Sequence, residues 1–309
     1  MADNSKIEWT DATWNFVTGC TKVSAGCDNC YAETLAERFR GTPGHYFENG
    51  FDVTLRPERL VLPLRWRKPR MVFVNSMSDL FHEKVPDELI ARAFAMMAQT
   101  PRHTYQILTK RPARMRALVG DAFGGGVRLI DAAENAGDEE TARALYEADG
   151  WPLPNVWLGV SAEDQATAER RVPALLETAA AVRFVSAEPL LGPVDLTALA
   201  ARGGAYLDAL AGVVYAAAPG CVDWVICGGE SGPRARPMHP SWARSLRDQT
   251  AARGRAFFMK QWGEFAPARN DEAWQVGTEF WPVWRYGKKS AGRFLDGREW
   301  NEMPAAGRD

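Results

Sequence analysis

Histidine is nearly absent from this chain, at four residues in 309: His45, His82, His103 and His239. They are scattered, and no carboxylate pair stands at a recognisable catalytic spacing. Histidine-ligated metallohydrolases and two-carboxylate hydrolases therefore find no support. No apolar run reaches the roughly 18 residues that span a bilayer. The N-terminal stretch MADNSKIEWTDATW lacks the basic and apolar regions of a signal peptide. A cytoplasmic location with no membrane association is the expectation. The formal net charge is only -2, so no global basic field announces nucleic acid, although a local patch remains open. Cysteine is scarce too, at five residues.

What the chain does hold is core material. Hydrophobic residues make up 46% and charged residues 25%, enough to build a globular interior. Twelve tryptophans belong in a core or on a stacking surface. Six short runs, 70–76, 104–110, 156–161, 182–188, 223–230 and 256–262, carry apolar residues on both faces, as parallel strands covered on both sides do. Helical periods lie between them. One spans 86–100, one spans 162–178 with a break near Pro173, and one spans 239–254 with Ser241 as N-cap and Gly254 as stop. Strand then helix, repeated about six times, predicts an α/β fold with a parallel sheet and right-handed crossovers, either open or a full or partial barrel. Residues 120–153 read as an insertion with a flexible glycine run and a helix near 138–148. Residues 198–220 read as an alanine-rich excursion. Residues 267–309 read as a loop-rich tail packed on the domain formed by 1–266. There is no internal repeat and no linker.

The C-terminal strand ends are polar one after another: Ser76, Ser78 and Asp79; Lys110 and Arg111; Ser161, Glu163 and Asp164; Ser186 and Glu188; Gly228, Gly229, Glu230 and Ser231; Lys260, Gln261 and Trp262. In a parallel α/β fold these ends share one face, where ligands bind. Each has a plainer reading beside the functional one. Asp79 and Asp164 suit N-caps. Glu188 before Pro189 suits a structural turn. The two glycines before Glu230 suit either a tight turn or a backbone that approaches a ligand.

Three of the five cysteines, Cys20, Cys27 and Cys30, fall within TGCTKVSAGCDNCYAE (18–33). In a reducing compartment such a group points to metal or redox chemistry before disulfides. A structural zinc site needs a fourth ligand, with His45 or His82 available. A thioredoxin-like thiol pair at Cys27 and Cys30 needs a different strand count. A 4Fe–4S cluster with three protein ligands leaves one iron open, which accounts for the odd number. Cys227, inside a predicted strand, reads as a buried apolar thiol or, beside a strand end, as a hydrogen-donating catalytic group. Cys221, near a Pro-Gly turn, reads as incidental.

The stretches WNFVTGCTKVSAGCDNCYAE, SMSDLFHE, ILTKRP, LGVSAE, AEPLLGP, ICGGESGPRARPM, FMKQWGE and GRFLDGREWNEMP together resemble an uncharacterised phage- and bacteria-associated three-cysteine family. That family is described as similar to radical S-adenosylmethionine (SAM) enzymes. The six residues between Cys20 and Cys27 depart from the three usual in those enzymes. The resemblance implies a (βα)6-type partial TIM barrel of radical-SAM type with helical insertions. It implies that Cys20, Cys27 and Cys30 hold a 4Fe–4S cluster whose open iron chelates SAM. An external electron donor then drives cleavage of SAM to a radical that abstracts hydrogen from substrate. Ser161 and Glu163, or Ser186 and Glu188, then suit the ribose. Lys110 suits the SAM carboxylate, and Gly228, Gly229 and Glu230 suit the methionine moiety or the substrate. Ser76 belongs to the same ring, and Cys227 and Lys260 are the candidate catalytic groups.

Substrate is read from charge. Arg56, Arg59, Arg65, Arg67, Lys68 and Arg70 surround Trp66, and Arg234 and Arg236 follow the GGE turn. Cations interleaved with aromatics suit a nucleic acid or nucleotide. A solvated surface is the plainer reading. Two functions compete: a radical-SAM-like enzyme that modifies or repairs nucleic acid, and a zinc-containing nucleic-acid-binding protein without redox catalysis.

Overall fold

A computed structural model describes residues 5–120, 125–200, 205–212, 220–268, 274–276 and 279–305. Its centre is a seven-stranded sheet: β1 (Ala12–Trp14), β2 (Met71–Val74), β3 (Thr104–Thr109), β4 (Val156–Ser161), β5 (Val182–Ala187), β6 (Trp224–Gly228) and β7 (Ala256–Gln261). Every neighbouring pair is parallel, and the order in the sheet is the order in the chain. The strand count is seven rather than six. The additional strand, β1, is three residues long, too short for a sequence period to register.

The sheet curls. Phe73 on β2 and Trp224 on β6 stand four strands apart, which in a flat sheet is about 19 Å at the usual strand spacing. Both nevertheless pack on one residue, Trp9, with ring centroids 4.7 and 6.0 Å away. The result is a half-barrel with β1 and β7 as open edges. Strand alternation divides its side chains. Phe73, Trp157, Phe184, Trp224, Ile226 and Phe258 turn inward and close the N-terminal end around Trp9. Val72, Val74, Leu158, Val160, Val185, Val225, Phe257 and Met259 belong to the separate, larger core shared with the helices. Gly159 is required by this inner packing, since a Cβ there would lie 2.4 Å from the Phe184 ring.

The helices follow the expected periods with local differences. α1 (Tyr31–Glu37) follows the cysteine loop and α2 (Asp87–Gln99) fills the predicted 86–100 segment. α3 is Pro112–Val119. The insertion holds two helices, α4 (Val127–Asn135) and α5 (Glu139–Tyr146), both packed on α2; part of its glycine run, residues 121–124, lies outside the described residues. α6 (Gln165–Leu176) runs through Pro173 unbroken. α7 (Pro240–Ala252) is capped by His239, whose ring accepts the Ser241 N–H, so Ser241 is not the cap. Within 198–220, Leu199–Ala200 pairs with Tyr206–Leu207; residues 201–204 and 213–219 lie outside the described residues.

The tail is more ordered than its composition implies. Phe265–Pro267 pairs with Val283–Arg285, and Trp274–Val276 with Glu279–Trp281. Its last stretch lies along the open edge of β7: the Met259 N–H donates to Trp300 O, the Glu302 N–H to Phe257 O, and the Trp224 indole to Glu302 O. An edge strand is thereby covered. No helix among the described residues is long and apolar enough to cross a membrane.

Phe184→Ala removes a fully buried ring from the inner plug, and should lower the unfolding free energy by about 3–5 kcal/mol in urea titration. A loss within experimental error would show that the plug carries little of the stability.

Candidate metal centre

The cysteine loop leaves the C-terminal end of β1. Val17–Thr18 pairs with Thr54–Leu55, and Gly19 then bridges to Ser78 beyond β2. Gly19 has φ 86, and a Cβ there would lie 2.3 Å from Asp52 O, so only glycine passes this point without displacing backbone. Cys20 follows. Cys27 ends a single 3-10 turn, Ala25–Cys27, and Cys30 is the N-cap of α1. All three thiols are partly buried at the polar end of the half-barrel.

Side chains from the strand ends hold the loop at three places. Beside Cys20, the Arg111 guanidinium donates to the Cys20 Sγ at 3.4 Å, to the Thr21 carbonyl at 3.0 Å and to the Asp79 carboxylate at 3.2 Å. Asp79 is fixed in turn by the Thr109 hydroxyl at 2.7 Å and the Lys110 N–H at 3.0 Å. Beside Cys27, Ser24 donates to Glu163 Oε1 at 2.9 Å, and Gly26 lies so close that a Cβ would meet the Glu163 carboxyl at 2.4 Å. Beside Cys30, Asn29 donates to Glu230 at 3.0 Å. Arg236 joins that carboxylate to the Ala25 carbonyl and to Asp28.

Glu163 is the most enclosed of these anchors, with a side chain 1% exposed. Its Oε1 meets Lys110 Nζ at 3.0 Å and its Oε2 meets Arg171 at 2.9 Å. Burial by itself raises the Glu163 carboxyl, but the charges of Lys110 and Arg171, with the hydrogen bonds from Lys110 and Ser24, outweigh it and hold the pKa at about 2. The thiols are shifted the other way. Burial raises Cys20, Asp79 adds to this, and Arg111 opposes it. Burial raises Cys30 as well, against the N–H groups of Glu33 and Ala32 at the start of α1. Cys27 is within electrostatic reach of both other thiols.

Among the described residues, no three His, Cys, Asp or Glu side chains are drawn together closely enough to share one metal ion. The cysteines of a 4Fe–4S cluster each take a different iron, so such a set needs a common mouth and not a common point. Three partly buried thiols on one anchored loop suit that donor set. His82, one of the two candidate fourth zinc ligands, instead bonds Thr21 through Nε2 at 2.9 Å, and His45 stacks on Phe39 at 4.0 Å.

The structure sorts the remaining sequence candidates. Lys110 and Glu163 are paired with each other, and Glu163 with Arg171 as well. Ser161 is buried and its carbonyl accepts from Arg171. Ser186 donates to Glu188 at 3.1 Å, and Lys260 Nζ lies 3.1 Å from the other carboxylate oxygen of Glu188. This second ion pair is partly open, its side chains 14% and 21% exposed. Tyr31 stands nearby, 61% exposed, its hydroxyl donating to the Ser76 carbonyl and lying within electrostatic reach of Cys30 and Glu188. The glycines serve the protein's own packing. A Cβ at Gly228 would lie 2.3 Å from Glu188 Oε1 and one at Gly229 2.0 Å from Trp262 O, while the Gly229 N–H donates to Gln261 O. Glu230 is bound to Arg236 and Asn29. Cys227 faces the helix side of the sheet, fully buried beside Met238, and burial pushes its thiol far up. Alternation from Ile226, which faces inward, places it on the wrong side for a hydrogen donor to this mouth. Asp164 is a helix cap, accepting the Thr167 N–H; Asp79 is not.

Arg171, Ser24, Asn29 and Tyr31 are not singled out from sequence as site residues, and Arg236 is read there only as a substrate-facing cation. In the structure Arg236 turns instead to Glu230 and the Ala25 carbonyl. Arg171 sits mid-helix, and nothing marks it before the fold is known.

Glu163→Gln leaves Lys110 and Arg171 beside a neutral partner in a buried place, and should cost about 3–5 kcal/mol, read as a lower urea midpoint. The wild-type carboxyl is depressed on folding, so its contribution is complete above the ordinary value of 4.5 and is lost as pH falls toward about 2. Acid titration of the wild type should show a stability loss across that window which Glu163→Gln lacks. Equal acid profiles would disprove the assignment.

No curated protein and no solved structure matches the chain. One family model does, over residues 4–304. The chain accordingly belongs to the family described as Protein of unknown function (DUF5131).

Proposed function

We propose that this chain is an iron–sulfur enzyme of radical-SAM type. In this reading Cys20, Cys27 and Cys30 hold a 4Fe–4S cluster at the mouth of the half-barrel, an external donor supplies electrons, and the substrate is a nucleic acid or nucleotide. The observation that carries it is the anchoring of a three-thiol loop across the C-terminal end of the curled parallel sheet, next to the partly open Glu188–Lys260 pair. When bound, such a cluster together with SAM supplies one-electron cleavage of a carbon–sulfur bond.

The chain's own residues have definable tasks in this reading. Arg111, Glu163, Glu230 and Arg236 order the loop before any metal arrives, which lowers the conformational cost of binding. Lys110 is part of that scaffold. The ligand-facing pair is Glu188 and Lys260: opposite charges side by side complement the ammonium and carboxylate of an amino-acid group such as that of SAM. Ser186 holds Glu188 in place, and Gly228 makes room for its carboxylate.

Anaerobic purification is the first test. A brown protein with about four irons per chain, lost in Cys27→Ala and kept in Cys221→Ala, is the expected result. A colourless protein with one zinc would favour a zinc-containing nucleic-acid-binding protein instead. Reductant and SAM should then release 5′-deoxyadenosine.

The two carboxylates should separate in their effects. Glu188→Gln should leave iron content intact and change stability by no more than about 1 kcal/mol, since its ion pair is partly solvated. It should weaken SAM binding about tenfold or more in equilibrium dialysis. Unchanged SAM affinity would remove Glu188 from the ligand site.

A further inference from the structure

The six cations that surround Trp66 in sequence do not form one patch. Arg56 and Arg59 fold back near the cysteine end, where both guanidiniums cover the Tyr46 ring, 4.1 and 4.4 Å from its centroid. Arg65, Arg67, Lys68 and Arg70 precede β2, and Arg102 precedes β3. They lie at the opposite, N-terminal end of the sheet.

This second group is built. Arg102 donates to the carbonyls of Trp66, Pro63 and Leu64, at 3.0, 3.3 and 3.4 Å. The buried His103 contacts the Pro63 carbonyl at 3.2 Å and packs edge-on against Trp66. Arg70 lies over the Trp66 ring at 5.2 Å. The segment is thus held rigidly while Arg65, Arg67 and Lys68 remain exposed. Among the described residues no carboxylate pairs with these three. At the cysteine end the reverse holds: Lys110, Arg111, Arg236 and Lys260 all have carboxylate partners.

We infer that this end of the half-barrel is a docking surface for the phosphodiester backbone of a nucleic acid, separate from the cysteine mouth. Uncompensated cations held in place release counterions when they meet a polyanion, and release fewer on meeting a single small anion. Three side chains spread over an exposed segment do not converge on one phosphate. A lipid surface is the poorer match. Among the described residues the exposed aliphatics here are Val61 and Leu64, at the N-cap and within a helix of only four residues, Leu62–Arg65, and Trp66 is half-buried under Arg70. Interfacial helices present a longer apolar face.

The test is anisotropy of the full chain with a labelled duplex DNA of ~20 base pairs and its single strand, across a potassium chloride series. The triple variant Arg65→Ser/Arg67→Ser/Lys68→Ser should bind at least about tenfold more weakly near 0.1 M salt. Its salt slope should fall by about 2–3, close to 0.9 per lost contact. Because the three side chains are exposed and unpaired, its urea midpoint should match the wild type. Unchanged affinity and slope overturn the inference. So does an equal loss per charge in Lys288→Ser/Lys289→Ser, exposed residues of the tail, since that outcome means diffuse attraction. Binding of vesicles with about 30% phosphatidylserine in place of DNA, abolished in the triple variant, assigns the surface to lipid and overturns it as well. Cluster content does not enter these measurements, so they stand apart from the reading of the cysteine loop.

Discussion

A buried carboxylate needs its cations. Taking the Glu163 side chain out of water is costly, and Lys110 and Arg171 offset that cost only while both stay in place. Lys110 comes from the end of β3, Arg171 from α6, and Ser24 from the cysteine loop, so one carboxylate ties three separate elements to a single geometry. The position of Cys27 follows from it, because Gly26 is pressed against the same carboxyl. Arg111 and Glu230 repeat the device for Cys20 and Cys30. The polar ring at the strand ends is in large part the mounting of the loop.

That division clarifies the chemistry. Of the two acid–base pairs facing the mouth, Lys110–Glu163 is enclosed and committed to structure, whereas Glu188–Lys260 is partly open. Sequence reasoning offers both carboxylates for the same ribose role, since each is a charged residue at a strand end. Burial separates them: a carboxylate with three donors on its oxygens has little capacity left for a ligand, and one with a lysine, a serine hydroxyl and solvent has more.

Much of the fold was legible in the sequence for a physical reason. Strands covered on both faces are nearly continuous apolar runs, so β2 through β7 stood out, and α2 and α7 declared themselves by period. Three-residue β1 has no period to read. Unbroken α6 shows tertiary packing overriding a local breaker at Pro173. The tail's pairing onto β7 combines backbone hydrogen bonds, which leave no residue signature, with long-range side-chain contacts such as Trp224 to Glu302 O that local sequence does not pair. The site was half legible: the cysteines and the polar strand ends were visible as residue types. Which carboxylate meets which cation depends on contacts such as Ser24 to Glu163 across 139 positions and Arg236 to Asp28 across 208. Of the two sequence readings of Cys227, the structure has the buried apolar thiol, and nearness to a strand end does not say which face of β6 a side chain takes.

Chain order and sheet order coincide, and this has a consequence for biosynthesis. Within the chain the cysteine loop precedes every one of its anchors, which follow in succession with Arg111, Glu163, Glu230 and finally Arg236. Domains fold as units as the chain is made, and pairings this distant in sequence close slowly. Until Arg236 has been made, the cradle of the three thiols is incomplete, with the Cys30 side the last to be fixed. The order in which the protein is made therefore sets a window in which its most reactive side chains need protection.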